Sequence, residues 1–91
     1  MVEAELIVDY ESGIHARPAA LFVQVASKFS SRILIQKGDR EIDAKSVMGV
    51  MSLNIASGDK IILKIDGYDE VEAMEAMTKL IKFDLNEMIG T

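Results

Sequence analysis

The chain has 91 residues, a formal net charge of −5, and 49% hydrophobic and 27% charged residues. This length allows a single domain spanning residues 1–91, and the composition is typical of a folded globular chain. With no cysteine and one histidine, the sequence can form neither a disulfide nor a thiolate metal site, so we expect no metal and no cofactor. The acidic balance argues against intrinsic nucleic-acid binding, which depends on basic surface.

The sequence shows no apolar run of the length that crosses a bilayer, and its N-terminal residues lack a basic region ahead of an apolar one. We therefore expect a cytoplasmic protein that does not insert into membranes. Its partners should be other proteins, and we expect it to be a monomer.

Alternating apolar residues predict a half-buried strand near the N-terminus, and β-branched or alternating segments predict three more. The predicted strands are Val2–Asp9, Arg32–Gln36, Glu41–Asp43 and Lys60–Asp66. Between the second and third strands, Lys37–Arg40 has the composition of a turn, so these two strands should form a hairpin.

Apolar residues at helical spacing predict three helices. The first runs from about Ala16 to near Phe29, the second from Val47 to about Leu53, and the third closes the chain with Met74, Met77 and Ile81 on its apolar stripe. Ser46 is the expected N-cap of the second helix, and Asn54 and Gly58 can adopt positive φ after it. Asp69 and Glu72 have the spacing of a capping box before the third helix.

The predicted order is β-α-β-β-α-β-α. A central hairpin within mixed strands and helices indicates an α+β fold, in which helices cover one face of an antiparallel sheet. We see no internal repeat and no low-complexity segment.

The most informative stretch is Gly13–Ala20, which contains the only histidine and the only proline of the chain. Pro18 suits the first turn of a helix, which places His15 at or beside the N-cap. Free N–H groups at a helix start and the nearby Arg17 would favour a bound anion, and a neutral imidazole is a competent nucleophile. This pattern is consistent with a histidine that carries phosphate. Spacing alone equally allows a capping or surface histidine with an incidental arginine.

Two segments also resemble a known family. The sequence GIHARPA at residues 13–19 resembles the active-site signature of the histidine-containing phosphocarrier protein HPr of the bacterial sugar phosphotransferase system. The sequence KSVMGVMSL at residues 45–53 resembles that family's regulatory serine segment. The resemblance implies an open-faced β-sandwich, with four strands covered on one side by three helices. It also implies that His15 accepts a phosphoryl group from enzyme I and passes it to the IIA domains of sugar transporters, with Arg17 serving the transfer.

The same resemblance implies two further roles. Ser46 would be phosphorylated by a dedicated serine kinase, which also acts as a phosphorylase, and the phosphoserine form would be recognised by a catabolite-control transcriptional regulator. A patch beside the histidine would dock the transfer partners, and it would consist of Ala16, Ala20, Val47, Met48 and Met51. Methionines at such positions can equally fill a core.

Three alternatives remain open at this point. A small hydrolase of the acylphosphatase kind has a similar size and an α+β fold, although Arg17 and Asn54 are the only residues to offer for its site and their spacing does not support those roles. A carrier in a nitrogen-linked regulatory branch would have the same motif. A regulation-only relative would lack the active-site histidine, whereas His15 is present.

Overall fold

The computed structural model describes residues 1–8 and 16–84. Its elements follow the predicted order β-α-β-β-α-β-α, and the last helix continues into a wider π-helical turn, Leu80–Asp84. The elements are β1 (Val2–Ile7), α1 (Ala16–Ala26), β2 (Arg32–Lys37), β3 (Arg40–Asp43), α2 (Val47–Ser52), β4 (Lys60–Asp66) and α3 (Glu70–Lys79). The helix α1 therefore ends before Phe29, and the predicted strand end at Asp9 lies outside the described residues.

The four strands form one antiparallel sheet in the order β1-β4-β2-β3. The predicted hairpin of β2 and β3 is confirmed, since Lys37 pairs with Arg40 across a tight turn. Gly38 occupies that turn with φ of +62°, a left-handed conformation that glycine adopts without steric cost. In the sheet centre, Ile65 of β4 pairs with Val2 on one side and Ile33 on the other.

One face of the sheet supplies the core, and buried side chains of all three helices complete it. In the central strand β4 alternate residues are buried, as the pattern predicted, and β2 shows the same alternation over Ile33 and Ile35. The opposite face carries charged side chains such as Glu41 and Lys64, which form an ion pair at 2.9 Å. The fully buried larger side chains are Val8, Phe22, Ile33, Ile35, Val50, Ile61, Leu63, Ile65, Met77, Leu80 and Ile81. This arrangement confirms the α+β open-faced sandwich.

The predicted capping box at α3 is wrong. Asp69 does precede the helix, but its side chain makes no hydrogen bond to the first turn of α3. Its carboxylate instead accepts hydrogen bonds from the backbone N–H groups of Ser30 at 2.8 Å and Ser31 at 2.9 Å, in the bend before β2. The acidic residue thus joins two distant parts of the chain.

Among the helices that lie within residues 1–8 and 16–84, none has the length and apolar character needed to cross a membrane.

Candidate functional site

The helix α1 begins at Ala16, as the position of Pro18 predicted. The backbones of Ala16, Arg17 and Pro18 form its first turn, and Ala20, which is half-buried, follows in the next turn. His15 and the side chain of Arg17 lie outside the described part of the chain. The structure therefore shows the helix that begins directly after the histidine, but not the histidine itself.

The second motif forms a short helix whose N-cap is Ser46, as predicted. Ser46 has extended backbone angles of φ −114° and ψ 116°, and its Oγ accepts a hydrogen bond from the N–H of Gly49 at 3.0 Å. This contact satisfies one of the free donors at the helix start. Ser46 is exposed, so its hydroxyl can be reached by a modifying enzyme.

The apolar residues of α2 divide between its two sides. Val50 is fully buried, and Leu53 just after the helix is buried as well. Val47, Met48 and Met51 are instead exposed, with exposed fractions of 37%, 82% and 42%. We call these three residues the docking group, after the partner contact that the sequence predicts for them. They are not core residues, although methionine often is. Because α2 packs against α1, this exposed group lies on a helix in contact with the one that begins after His15.

Lys45, which directly precedes Ser46, is bonded to the backbone of a distant segment. It is half-buried, and its Nζ donates a hydrogen bond to the carbonyl oxygen of Phe29 at 2.8 Å. Its backbone N–H is bonded to the Asp43 carboxylate at 2.9 Å. The residue before Ser46 therefore ties the start of α2 to the bend that follows α1.

Two cations contact the chain at the other end of α2, and neither contact was predicted from the sequence. Arg40 Nη1 donates to the Ser52 carbonyl oxygen at 2.7 Å, and Lys37 Nζ donates to the Asn54 carbonyl oxygen at 2.7 Å. Both residues flank the β2–β3 turn, and their sequence pattern predicted only a turn. Local patterns cannot predict these contacts, because the partners are 12 and 17 positions away.

Over the ranges that the structure describes, we find no group of three or more histidine, cysteine, aspartate or glutamate residues that could hold a metal ion.

Comparison with known proteins identifies the family. The family model described as "PTS HPr component phosphorylation site" matches residues 2–82. The HPr-like protein Crh of Halalkalibacterium halodurans is 51% identical over 82 residues, which cover 90% of this chain and 98% of the relative. The phosphocarrier protein HPr of Xylella fastidiosa (strain 9a5c) is 46% identical over 87 residues, which cover 96% of this chain and 98% of the relative.

Solved structures agree with this assignment. The crystal structure of HPr from Thermoanaerobacter tengcongensis matches with a TM-score of 0.87 and 48% identity, covering 90% of this chain and 92% of that chain. Crh of Bacillus subtilis matches with a TM-score of 0.73 and 40% identity over 90% of this chain and 94% of that chain, and it is a dimer with a swapped domain. The chain therefore belongs to the HPr family of the phosphotransferase system, in which HPr itself is a phosphocarrier protein and not a catalytic enzyme.

Proposed function

We propose that this protein accepts a phosphoryl group on His15 from phosphorylated enzyme I and passes it to the IIA domains of sugar transporters. The observation that carries the proposal is the outward-facing docking group, led by Met48 at 82% exposure, on a helix packed against α1. Exposed apolar side chains that lie together in one patch commonly mark a protein contact, whereas single ones do not. Here they lie on the helix neighbouring the one that follows His15.

In this proposal, His15 and Arg17 of the first motif carry out the transfer. A nitrogen of the neutral imidazole, Nδ1 in our proposal, forms a bond to phosphorus while the bond between phosphorus and the donor breaks. At the IIA domain, an acceptor side chain of that domain forms a bond to phosphorus while the bond between phosphorus and His15 breaks, and the free imidazole is returned. Arg17 follows at the second position of α1, and its guanidinium would stabilise charge on the phosphoryl oxygens during both transfers. Ala16 and Ala20 on α1 would join the docking group in contacting the partners.

We further propose that phosphorylation of Ser46 regulates the transfer, through a serine kinase/phosphorylase and a catabolite-control transcriptional regulator. The exposed Oγ at the N-cap of α2 supports this, because added negative charge at a helix start is favourable. The adjacent docking group supports it as well, since a charged phosphate beside an apolar contact would oppose docking.

A second candidate is a regulatory protein of the Crh kind, and the 51% identity to Crh of Halalkalibacterium halodurans favours it. The presence of His15 favours the carrier, because a purely regulatory protein has no need of a phosphoryl acceptor at that position. A nitrogen-linked branch would use the same chemistry with other partners. The hydrolase alternative is set aside, because the chain belongs to the HPr family and HPr is not a catalytic enzyme.

The proposal includes a single domain over residues 1–91 that works in the cytoplasm, where enzyme I and the IIA domains of this system act. We keep a monomer as the prediction. Since Crh of Bacillus subtilis is a swapped dimer, the oligomeric state requires a direct measurement by sedimentation or light scattering.

The test mixes the purified protein with enzyme I and phosphoenolpyruvate and follows its mass. Wild-type protein should gain one phosphoryl group that is lost in acid, as expected for a phosphohistidine. His15→Ala should gain none, while Ser46→Ala, the matched control, should be phosphorylated like the wild type. A wild-type protein that stays unmodified would favour the regulatory candidate, and modification of His15→Ala would contradict the assigned residue.

A further inference from the structure

At the C-terminal end of α2, a residue of the sheet donates a hydrogen bond to the last carbonyl group of the helix. The last four carbonyl groups of a helix have no partner inside it. Nearby donors serve three of them: the Ser52 hydroxyl bonds the Gly49 carbonyl at 2.6 Å, and two backbone N–H groups just after the helix bond the next two carbonyls at 3.2 and 3.0 Å. The fourth, the carbonyl of Ser52, accepts from Arg40 Nη1 of β3 at 2.7 Å.

Arg40 makes a second contact with the same residue. Its Nη2 donates to Ser52 Oγ at 3.2 Å, so the guanidinium binds both the backbone and the side chain of Ser52. A cation at a helix C-terminus is also favoured by the helix dipole. The helix has six residues, of which only Val50 is buried. A helix this short has little stability of its own, so contacts at its ends decide its position.

Lys37 extends the same support to the loop after α2. Its Nζ donates to the Asn54 carbonyl at 2.7 Å and forms an ion pair with the Asp59 carboxylate at 2.8 Å. The hydrogen bond from Lys37 lowers the pKa of the Asp59 carboxyl below its usual value. The carbonyl of Asp59 in turn accepts from the N–H of Val8 at 2.9 Å, just after β1. Lys37 thus links the loop that leaves α2 to the chain that leads towards His15.

We propose that Arg40 and Lys37 are positioning residues for phosphoryl transfer, which from the β2–β3 hairpin hold the end of α2 and thereby fix the docking group. This inference rests on the proposed function, because it assumes that α2 contacts the partners. Neither residue is assigned a contact with the phosphoryl group. Both act through Ser52 and Asn54 on the orientation of the helix.

The first measurement is amide hydrogen exchange, which does not require the transfer reaction. In Arg40→Gln, the amides of Val50, Leu53 and Asn54 should exchange about two- to fivefold faster, the factor expected from losing a cation at a helix C-terminus. Amides of the central strand β4 should be unchanged, because the sheet core is not altered. Arg40→Lys should exchange at an intermediate rate, since it keeps the charge but has a single nitrogen in place of the two that contact Ser52 in the wild type.

The second measurement is the transfer kinetics with enzyme I. In Arg40→Gln and Lys37→Gln, the KM of enzyme I for this protein should rise about two- to fivefold, the same factor as the exchange rates, while kcat stays nearly unchanged. The matched control is Arg32→Gln, which removes the same charge from an exposed site at the other end of β2, opposite Asp66. It should leave both measurements at wild-type values.

Two results would overturn the inference. If the KM of Arg40→Gln rises while exchange in α2 stays at the wild-type rate, Arg40 contacts the partner directly and does not position the helix. If α2 exchanges faster but the KM is unchanged, the helix position does not limit docking. Failure of the wild-type protein to be phosphorylated would instead reject the proposed function, and the exchange data would still show whether the two cations hold α2.

Discussion

The carboxylate of Asp69 accepts two hydrogen bonds from Ser31, which lies 38 residues earlier in the chain: one from the backbone N–H at 2.9 Å and one from the hydroxyl. Ser31 is only 2% exposed, and it is the one polar residue among the buried residues of the described ranges. Its donors would be costly to leave without a partner. The pair therefore joins the start of α3 to the bend that precedes β2.

Replacing Asp69 with Asn should reduce stability in a pH-dependent way. The hydrogen bond from the Ser31 hydroxyl is the main cause that lowers the pKa of the Asp69 carboxyl. The pKa of the Asp69 carboxyl is therefore lower in the folded than in the unfolded protein. The stabilisation by the ionised carboxylate is complete above the unfolded pKa of about 3.9 and is lost as the pH falls through the folded pKa. Urea unfolding should show Asp69→Asn below wild type at neutral pH, with a difference that shrinks in acid.

The control for this experiment is Asp39→Asn, an exposed aspartate in the β2–β3 turn. Its stability should follow the wild-type curve over the whole pH range. A constant difference between wild type and Asp69→Asn, extending unchanged into acid, would show that the ionised carboxylate is not the stabilising species.

Position 67 requires glycine, because it lies against the Ser31 residue that bonds Asp69. A Cβ atom added to Gly67 would lie 2.7 Å from the Cα atom of Ser31, which is backbone and cannot rotate away. Gly67→Ala should therefore displace Ser31 and weaken its bonds to Asp69. In urea unfolding it should lose more stability than Gly38→Ala, whose Cβ meets no atom within 4 Å. Gly38→Ala should lose only about 1–2 kcal/mol through its left-handed backbone. Equal losses in the two variants would argue against the steric explanation.

The fold was largely predictable because its signals are local. In β4, buried Ile61, Leu63 and Ile65 alternate with more exposed residues, as the pattern in the sequence indicated. The role of Asp69 was not predictable, since the nearby Glu72 offered a local explanation while the true partner lies 38 positions away. A carboxylate has several acceptor sites, and the sequence does not show which distant donors fold against it.

At the candidate site, the sequence predicted the helix cap but not the contacts that hold α2 in place. Ser46 was identified as a cap from its place before an apolar run, and the structure confirms this. The contacts that hold α2, from Arg40, Lys37 and Lys45 to backbone carbonyls, were missed. Every residue has a backbone carbonyl oxygen, so the sequence does not show which carbonyl groups accept hydrogen bonds from these side chains. The histidine geometry stays a prediction, because His15 lies outside the described residues.

Changing Met48 to Glu should separate docking from folding. Met48 is 82% exposed, so a charge there should leave the melting temperature nearly unchanged. It should weaken binding to enzyme I, because a carboxylate would lose its water in an apolar contact. The affinity can be measured by calorimetry, with thermal unfolding measured in parallel.

The contrasting variant is Val50→Ala, which lies on the buried side of the same helix. It should cost about 1.6 kcal/mol for two buried carbon atoms, plus a cavity cost. If Met48→Glu unfolds the domain, or if it binds enzyme I as tightly as wild type, the docking assignment of the exposed methionine is wrong.

The observed role of Ser46 as a helix cap and its proposed role as a regulatory phosphate acceptor can be separated by two substitutions. Ser46→Ala removes the hydrogen bond from Gly49 N to Oγ and should cost about 1 kcal/mol, which is typical for loss of an N-cap. Ser46→Asp keeps an acceptor at the cap and adds a charge that the helix dipole favours, so its stability should equal or exceed that of wild type.

Transfer kinetics should show the opposite order. Ser46→Ala should accept phosphate from enzyme I at close to the wild-type rate, because the docking group stays apolar. Ser46→Asp should be slower despite its stability, since its carboxylate directly precedes Val47 and Met48 and must be desolvated when a partner packs there. Protein phosphorylated enzymatically on Ser46 should be slower still, because phosphate carries about −1.5 to −2 charge. Equal transfer rates for the unmodified and phosphoserine forms would show that charge at Ser46 does not control the docking surface.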